Sequence, residues 1–167
     1  MAIAFRRARQ KDDQLIVDRV TGAFNRRQLD ADIARGVDPS GLSTATLMID
    51  VDDFDRYGRK GPMSADLVLE RVAWVVMATV RTSDIVYRHR TSSFCVLLPA
   101  TEDADALVVA ERIRSNIEST PLLSDAAVTV SVGVAIGRSA EIGATVERAD
   151  AALGDGSRQG GNRVVQR

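Results

Sequence analysis

Apolar positions recur along the chain with two periods. Between Ala65 and Val80 they fall at Leu67, Val68, Val72, Val75, Val76 and Val80, a spacing that lines one face of a long helix. Asp103 to Ile117 repeats it with Ala106, Val109, Ala110, Ile113 and Ile117 inward. Shorter helices are predicted over Arg26–Ala34 and Thr145–Leu153. Thr44–Val51 is a near-continuous apolar run, the signature of a strand covered on both faces. Ala127–Ala135 alternates as a strand does. Arg163–Val165 reads as a short closing strand. Between Ile85 and Pro99 two β-branched, apolar runs flank a short polar stretch, which predicts a hairpin. Loops are expected over residues 36–43, with Pro39 and Gly41, and over 57–64, where Gly58, Gly61 and Pro62 argue against a regular helix. Residues 1–19 read either as a helical lead-in or as a fraying terminus.

The resulting order mixes helices, single strands and a hairpin. It predicts an α/β (α+β) fold, a central mixed sheet of about five strands flanked by helices. No repeat or linker divides it. A lead-in over 1–17 and one domain over 18–167 are expected.

Composition narrows the function classes. The 167 residues are 45% hydrophobic and 27% charged, ordinary for a folded domain. The net charge of −1 gives no reason to expect nucleic acid as a partner. No apolar stretch reaches the roughly 20 residues that cross a bilayer, so no membrane partner is expected. The single cysteine, Cys95, sits in an apolar strand and reads as an inert core thiol; a reducing, cytoplasmic location follows. His89 is the sole histidine and reads as strand packing, and Trp74 as helix packing.

Six spaced motifs then carry a family resemblance. They are Asp18-Arg19-Val20-Thr21-Gly22-Ala23-Phe24-Asn25-Arg26-Arg27, Leu47-Met48-Ile49-Asp50-Val51-Asp52-Asp53-Phe54, the hairpin ending in Phe94, Ala110-Glu111-Arg112-Ile113-Arg114, Val130-Ser131-Val132-Gly133-Val134-Ala135 and Arg148-Ala149-Asp150-Ala151-Ala152-Leu153. In this order they resemble the GGDEF family, whose active members are diguanylate cyclases, and they imply its nucleotidyl-cyclase-like fold.

The resemblance also makes the departures visible. Where the family reads Gly-Gly-Asp/Glu-Glu-Phe, this chain reads Arg90-Thr91-Ser92-Ser93-Phe94. The family holds metal ions for phosphoryl transfer on an aspartate, here Asp50, and on the acidic pair replaced by Ser92 and Ser93. A neutral hydroxyl is a weak ligand for a hard dication. Arg90 and Thr91 would fill space that two glycines leave to the nucleotide. Gly58 stands near an expected asparagine, and Ser157 and Gly161 replace a lysine and an arginine that hold the triphosphate. Asp66 is either a remnant guanine ligand or an acid complementing a helix N-terminus. These changes lead to the expectation that the chain is not an enzyme and needs no cofactor. Asp50 and Asp52 are remnant metal candidates, within the best remaining cation site, Asp50, Asp52, Asp53 and Asp55.

A second family feature is intact. Arg81-Thr82-Ser83-Asp84 has the position of the product-inhibition motif, and Arg112 matches a further arginine of that site. Arginine forks suit phosphate and guanine edges, and an aspartate accepts from guanine N1–H. The same residues also read as a plain surface pair. The resemblance thus implies a cyclic di-GMP receptor or regulatory module through Arg81, Asp84 and Arg112, with an unknown protein partner and a homodimer or ligand-bridged dimer. Two other classes stay open: a nucleotide-free interaction domain, and a GTP-binding domain without cyclase activity.

Overall fold

The structure is a computed structural model and describes residues 16–37, 41–124 and 126–167. The expected lead-in lies outside them except for Ile16 and Val17, and so does Pro39 of the first loop.

The chain enters through a short bridge between Val17 and Phe24. Helix α1 follows (Arg26–Arg35), and the Asn25 side chain caps it by accepting from the Gln28 amide at 3.0 Å. Strand β1 (Ser43–Val51) leads to a one-turn helix α2 (Asp55–Gly58) and a long α3 (Pro62–Thr79). The hairpin β2 (Ile85–Arg88) and β3 (Ser93–Pro99) comes next, then α4 (Asp103–Ser119) and β4 (Val130–Arg138). A short 3₁₀ turn, helix α5 (Ile142–Arg158) and β5 (Val164–Gln166) close the chain.

The five strands lie in the order β2-β3-β1-β4-β5. Strand β1 is central and antiparallel to both β3 and β4, β2 is antiparallel to β3, and β5 is parallel to β4. This is the predicted mixed sheet. Alternate residues of β1 feed two cores. Leu47 and Ile49 pack with Val68, Val72 and Val76 of α3 and Ala110 and Ile113 of α4. Met48 packs on the other face with Leu29 of α1 and Ala149 and Leu153 of α5. Gly133 permits the second contact, because a Cβ there would lie 2.0 Å from the Ala149 carbonyl of α5.

Several expectations are corrected. Residues 57–64 are not one regular helix, as expected, but the break is confined to Arg59–Gly61, between the end of α2 at Gly58 and the start of α3 at Pro62. Pro62 begins α3, where its missing N–H costs nothing, and Gly61 precedes it at φ +114°. The early start leaves Asp66 beyond the first turn, which has no acidic residue, so it does not serve the helix terminus. Strand β4 lies later than predicted and is buried continuously over Val130–Ala135, because helices cover both faces. Helix α5 continues five residues past Leu153, through Gly154 and Gly156, because β5 packs beside it: a Cβ on Gly156 would come within 3.2 Å of Val165. Trp74 is 64% exposed and Leu67 37%, so neither belongs to the apolar face of α3. Cys95 is fully buried in β3, where burial pushes its thiol up to about 12, as an inert thiol requires.

Candidate functional site

Two regions gather the predicted residues. The first is a cleft of about 720 Å³ at the carboxyl end of β1, lined by Asp50, Asp52 and Asp53, by Ser92 from the hairpin and by Ser157 and Gly161 near the C-terminus. The register sets it up: Asp50 lies opposite Ser93 on one side and Ser131 on the other. The Ser92 hydroxyl donates to Asp50 Oδ1 at 2.5 Å. Burial still raises the Asp50 carboxyl above its usual range; that bond opposes the rise and the charge of Asp52 adds to it. The Ser93 hydroxyl is buried with no partner among the described residues.

Asp52 has a different task. Its Oδ1 accepts from the Ser131 hydroxyl at 2.7 Å, and its Oδ2 accepts from the Thr129 hydroxyl at 2.7 Å and the Asn162 amide at 2.9 Å. One carboxylate thereby joins β1, the start of β4 and the turn between α5 and β5. Gly161, at φ +72°, comes so close that a Cβ would lie 2.9 Å from Asp52 Oδ1. The residues present do not fit the family's metal ions. Ser92 and Ser93 stand where the family's acidic pair would be, Asp52 already accepts from three protein donors, and among the described residues no three His, Cys, Asp or Glu side chains converge on a cation.

The hairpin turn is held from outside the cleft. Arg90 does not fill nucleotide space as expected; its guanidinium turns to α5 and pairs bidentately with Asp150, at 3.1 and 2.9 Å. The Arg88 side chain donates to the carbonyl of Arg90 at 2.7 Å and to that of Thr91. His89 is buried beneath the turn against Arg26, with Nη1 3.0 Å from its Nδ1. Burial, then the charges of Arg26 and Arg90, pull its imidazole down to about 4, so it is neutral at physiological pH.

The second region is the turn between α3 and β2. Asp84 Oδ2 accepts from the Arg81 amide at 2.7 Å, and the Arg81 side chain is exposed. Arg112 is exposed on α4, one helical turn before Asn116, whose side-chain amide donates to the Thr79 hydroxyl at 3.2 Å. On the far side of α3, Arg81 and Asp84 line a groove of about 360 Å³ with Phe24, Met77 and Val80. Sequence reasoning missed Phe24: it stands in a motif read as a turn and helix start, and nothing in its spacing signals exposure beside a strand 60 residues later.

Comparison with known proteins identifies the class. The family described as "Diguanylate cyclase, GGDEF domain" matches residues 15–163, and the chain belongs to it. Diguanylate cyclase A of Treponema denticola is 38% identical over 130 residues, which are 71% of this chain and 34% of that protein. A crystal structure of the coiled coil and GGDEF domain of DgcB from Caulobacter crescentus in complex with c-di-GMP superposes with TM-score 0.92 at 25% identity, covering 99% of this chain and 93% of that one. The diguanylate cyclase SiaD of Pseudomonas aeruginosa, in complex with its activator SiaC, gives 0.84 at 32% identity, covering 99% and 70%. The chain spans about a third of the length of the curated relatives it matches. These findings overturn the expectation, drawn from the Arg90–Phe94 loop together with Gly58, Ser157 and Gly161, that the chain is not an enzyme: the family is described as diguanylate cyclase, and relatives such as diguanylate cyclase A and DosC carry that name. No helix among the described residues is long and apolar enough to cross a membrane.

Proposed function

We propose that this GGDEF domain binds cyclic di-GMP at the Arg81–Asp84 turn, with Arg112 as the second cation, and acts through that site as a regulatory module of cyclic di-GMP signalling. The observation that carries the reading is the state of the turn. The Arg81 amide anchors one Asp84 oxygen at 2.7 Å, which leaves the other to accept from a guanine edge. Neither the Arg81 nor the Arg112 guanidinium has an ion-pair partner among the described residues. The path of the helices supports including Arg112. Helices α3 and α4 run antiparallel, with Arg71 donating to the Leu122 carbonyl and Asn116 to Thr79. Arg112 lies one turn before Asn116 on α4, toward the end of α3 that leads into the Arg81–Asp84 turn, which supports counting it with that turn. A dianion with two guanines needs cations, planar forks and an acceptor together, and this turn supplies all three. That a crystal structure of a similar GGDEF domain, from DgcB, holds c-di-GMP adds to the case.

Calorimetry with cyclic di-GMP tests the reading. Micromolar or tighter binding is expected, and Arg81→Ala should weaken it at least tenfold, about 1.4 kcal/mol or more. No heat and no thermal shift at millimolar ligand would overturn it.

A further inference from the structure

The groove beside the Arg81–Asp84 turn has features that a plain surface depression lacks. Its floor is fixed. The Phe24 amide donates to the Val86 carbonyl at 3.0 Å, and its own carbonyl accepts from the Arg88 amide at 2.6 Å, so Phe24 lies like an added strand residue beside β2. One side of its ring is tilted against the buried Tyr87, with centroids 5.9 Å apart and 41° between planes. The ring is still 36% exposed and lines the groove. Across from it, Met77 on the last turn of α3 is 39% exposed. The walls are thus an aromatic ring and a thioether, and the groove also carries a carboxylate and a guanidinium with no ion-pair partner among the described residues.

A purine base with a phosphodiester matches that set. Its faces are apolar and stack on aromatic rings, while the donor edge of guanine complements Asp84 and the phosphate complements Arg81. A purely apolar ligand would leave the two charges unused. The groove's relation to Arg112 also fits a ligand with two bases. Thr79, the contact of α3 with α4, and Met77, on the groove, are two residues apart and so on opposite sides of the helix. The α4 contact that leads toward Arg112 and the groove that holds Phe24 therefore lie on opposite sides of α3.

We propose that the groove between Phe24 and Met77 is a base-binding subsite, in which one guanine stacks on Phe24 while Arg81 holds the adjoining phosphate. The subsite rests on the cyclic di-GMP reading above, and it adds a selective contact: Phe24 makes the turn a recogniser of an aromatic base rather than of phosphate alone.

The experiment is a cyclic di-GMP titration, by calorimetry, of the unsubstituted chain, Phe24→Ala, Phe24→Trp and Arg81→Ala. Stacking on one ring predicts roughly tenfold weaker binding for Phe24→Ala and near-normal binding for Phe24→Trp. In a Trp74→Phe background, Phe24→Trp should also report the ligand by a change in indole fluorescence on saturation. Unchanged affinity in Phe24→Ala, or binding by Phe24→Trp with silent fluorescence, overturns the subsite while leaving the Arg81 reading intact. No binding by the unsubstituted chain overturns both.

Discussion

Arg90 and Asp150 form a two-point ion pair that ties the hairpin turn to α5 across 60 residues of sequence, at 3.1 and 2.9 Å. Arg90 stands where the family has a glycine, and the space a nucleotide would approach is left to Ser92. The pair therefore positions a loop more than it stabilises a fold. Its side chains are 61% and 29% exposed, and such pairs contribute under about 1 kcal/mol. Asp150→Asn should hardly move the urea midpoint. It should speed hydrogen exchange at the Arg90–Ser92 amides, because the turn loses its outer tether. Equal slowing or speeding across the whole chain would instead make the pair a global stabiliser.

Asp52 should be the costliest carboxylate to remove from the cleft. Its loss leaves two hydroxyls and the Asn162 amide without their acceptor. Asp52→Ala is expected to destabilise by about 2–4 kcal/mol and to loosen the Gly160–Arg163 turn. Asp52→Asn keeps the shape and one good acceptor and should cost less. Chemical denaturation with exchange at the Asn162 amide checks both.

His89 predicts a pH dependence whose sign is fixed by its burial. In the unfolded chain its ring titrates near 6.5, and in the folded chain at about 4. Between those values the unfolded state binds the extra proton, so stability rises with pH across this window and is lost as pH falls through it. The loss should be on the order of 2 kcal/mol once solvent screening is allowed for. Denaturation midpoints from pH 7 to 4 should show the slope, and His89→Phe should flatten it. Asp50 works in the opposite direction. Its folded value is raised, so ionising it costs stability as pH climbs above about 3.8, and Asp50→Asn should stabilise the domain at pH 7 but not at pH 3.

How much of this was legible in the sequence depended on range. The apolar run of β1, the hairpin and the two long helices are local patterns, and the sheet formed around them as predicted. The misses came from context. Pro62 reads as a breaker, but at the first position of a helix it is not one. The alternation over Ala127–Ala135 put β4 three residues early; the strand begins at Val130, and α5 covers it as closely as Gly133 allows. Trp74 looked like core by residue type, and its place on α3 turned it outward. Ser92 and Ser93 were readable as missing charges, but not that Ser92 would bond to Asp50. Arg90 and Asp150, or Asp52 and Asn162, meet only once five strands are in register. Family membership, finally, corrected a functional expectation that rested on the hairpin loop and on Gly58, Ser157 and Gly161.

Two glycines separate packing from turn chemistry. A Cβ at Gly133 would meet α5 backbone atoms at 2.0 and 2.4 Å, and backbone cannot rotate away. Gly133→Ala should therefore cost more than about 3 kcal/mol and shift α5, since overpacking a core at backbone is at the severe end. At Gly58 nothing lies within 4 Å and φ is not positive. Gly58→Ala should be neutral or stabilising by up to about 1 kcal/mol, as in any exposed helical position. Thermal melts of the two variants should differ by many degrees.

Arg112 offers the sharpest test of ligand binding, because it joins the site from a different helix. If Arg81 and Arg112 hold the same cyclic di-GMP molecule, removing either should weaken binding about tenfold, and removing both should not simply multiply the losses. Groups sharing one ligand couple, and groups acting apart do not. The cycle of Arg81→Ala, Arg112→Ala and the double variant, read by calorimetry, should give a coupling beyond about 0.5 kcal/mol. Both losses should shrink as salt is raised, since each contact is charge-assisted. Ser92→Ala, in the cleft at the other site, should leave the affinity unchanged. An unchanged affinity in Arg112→Ala would place Arg112 outside the ligand's reach, and Asn116, one turn away and bonded to Thr79, would mark where the α3–α4 contact ends.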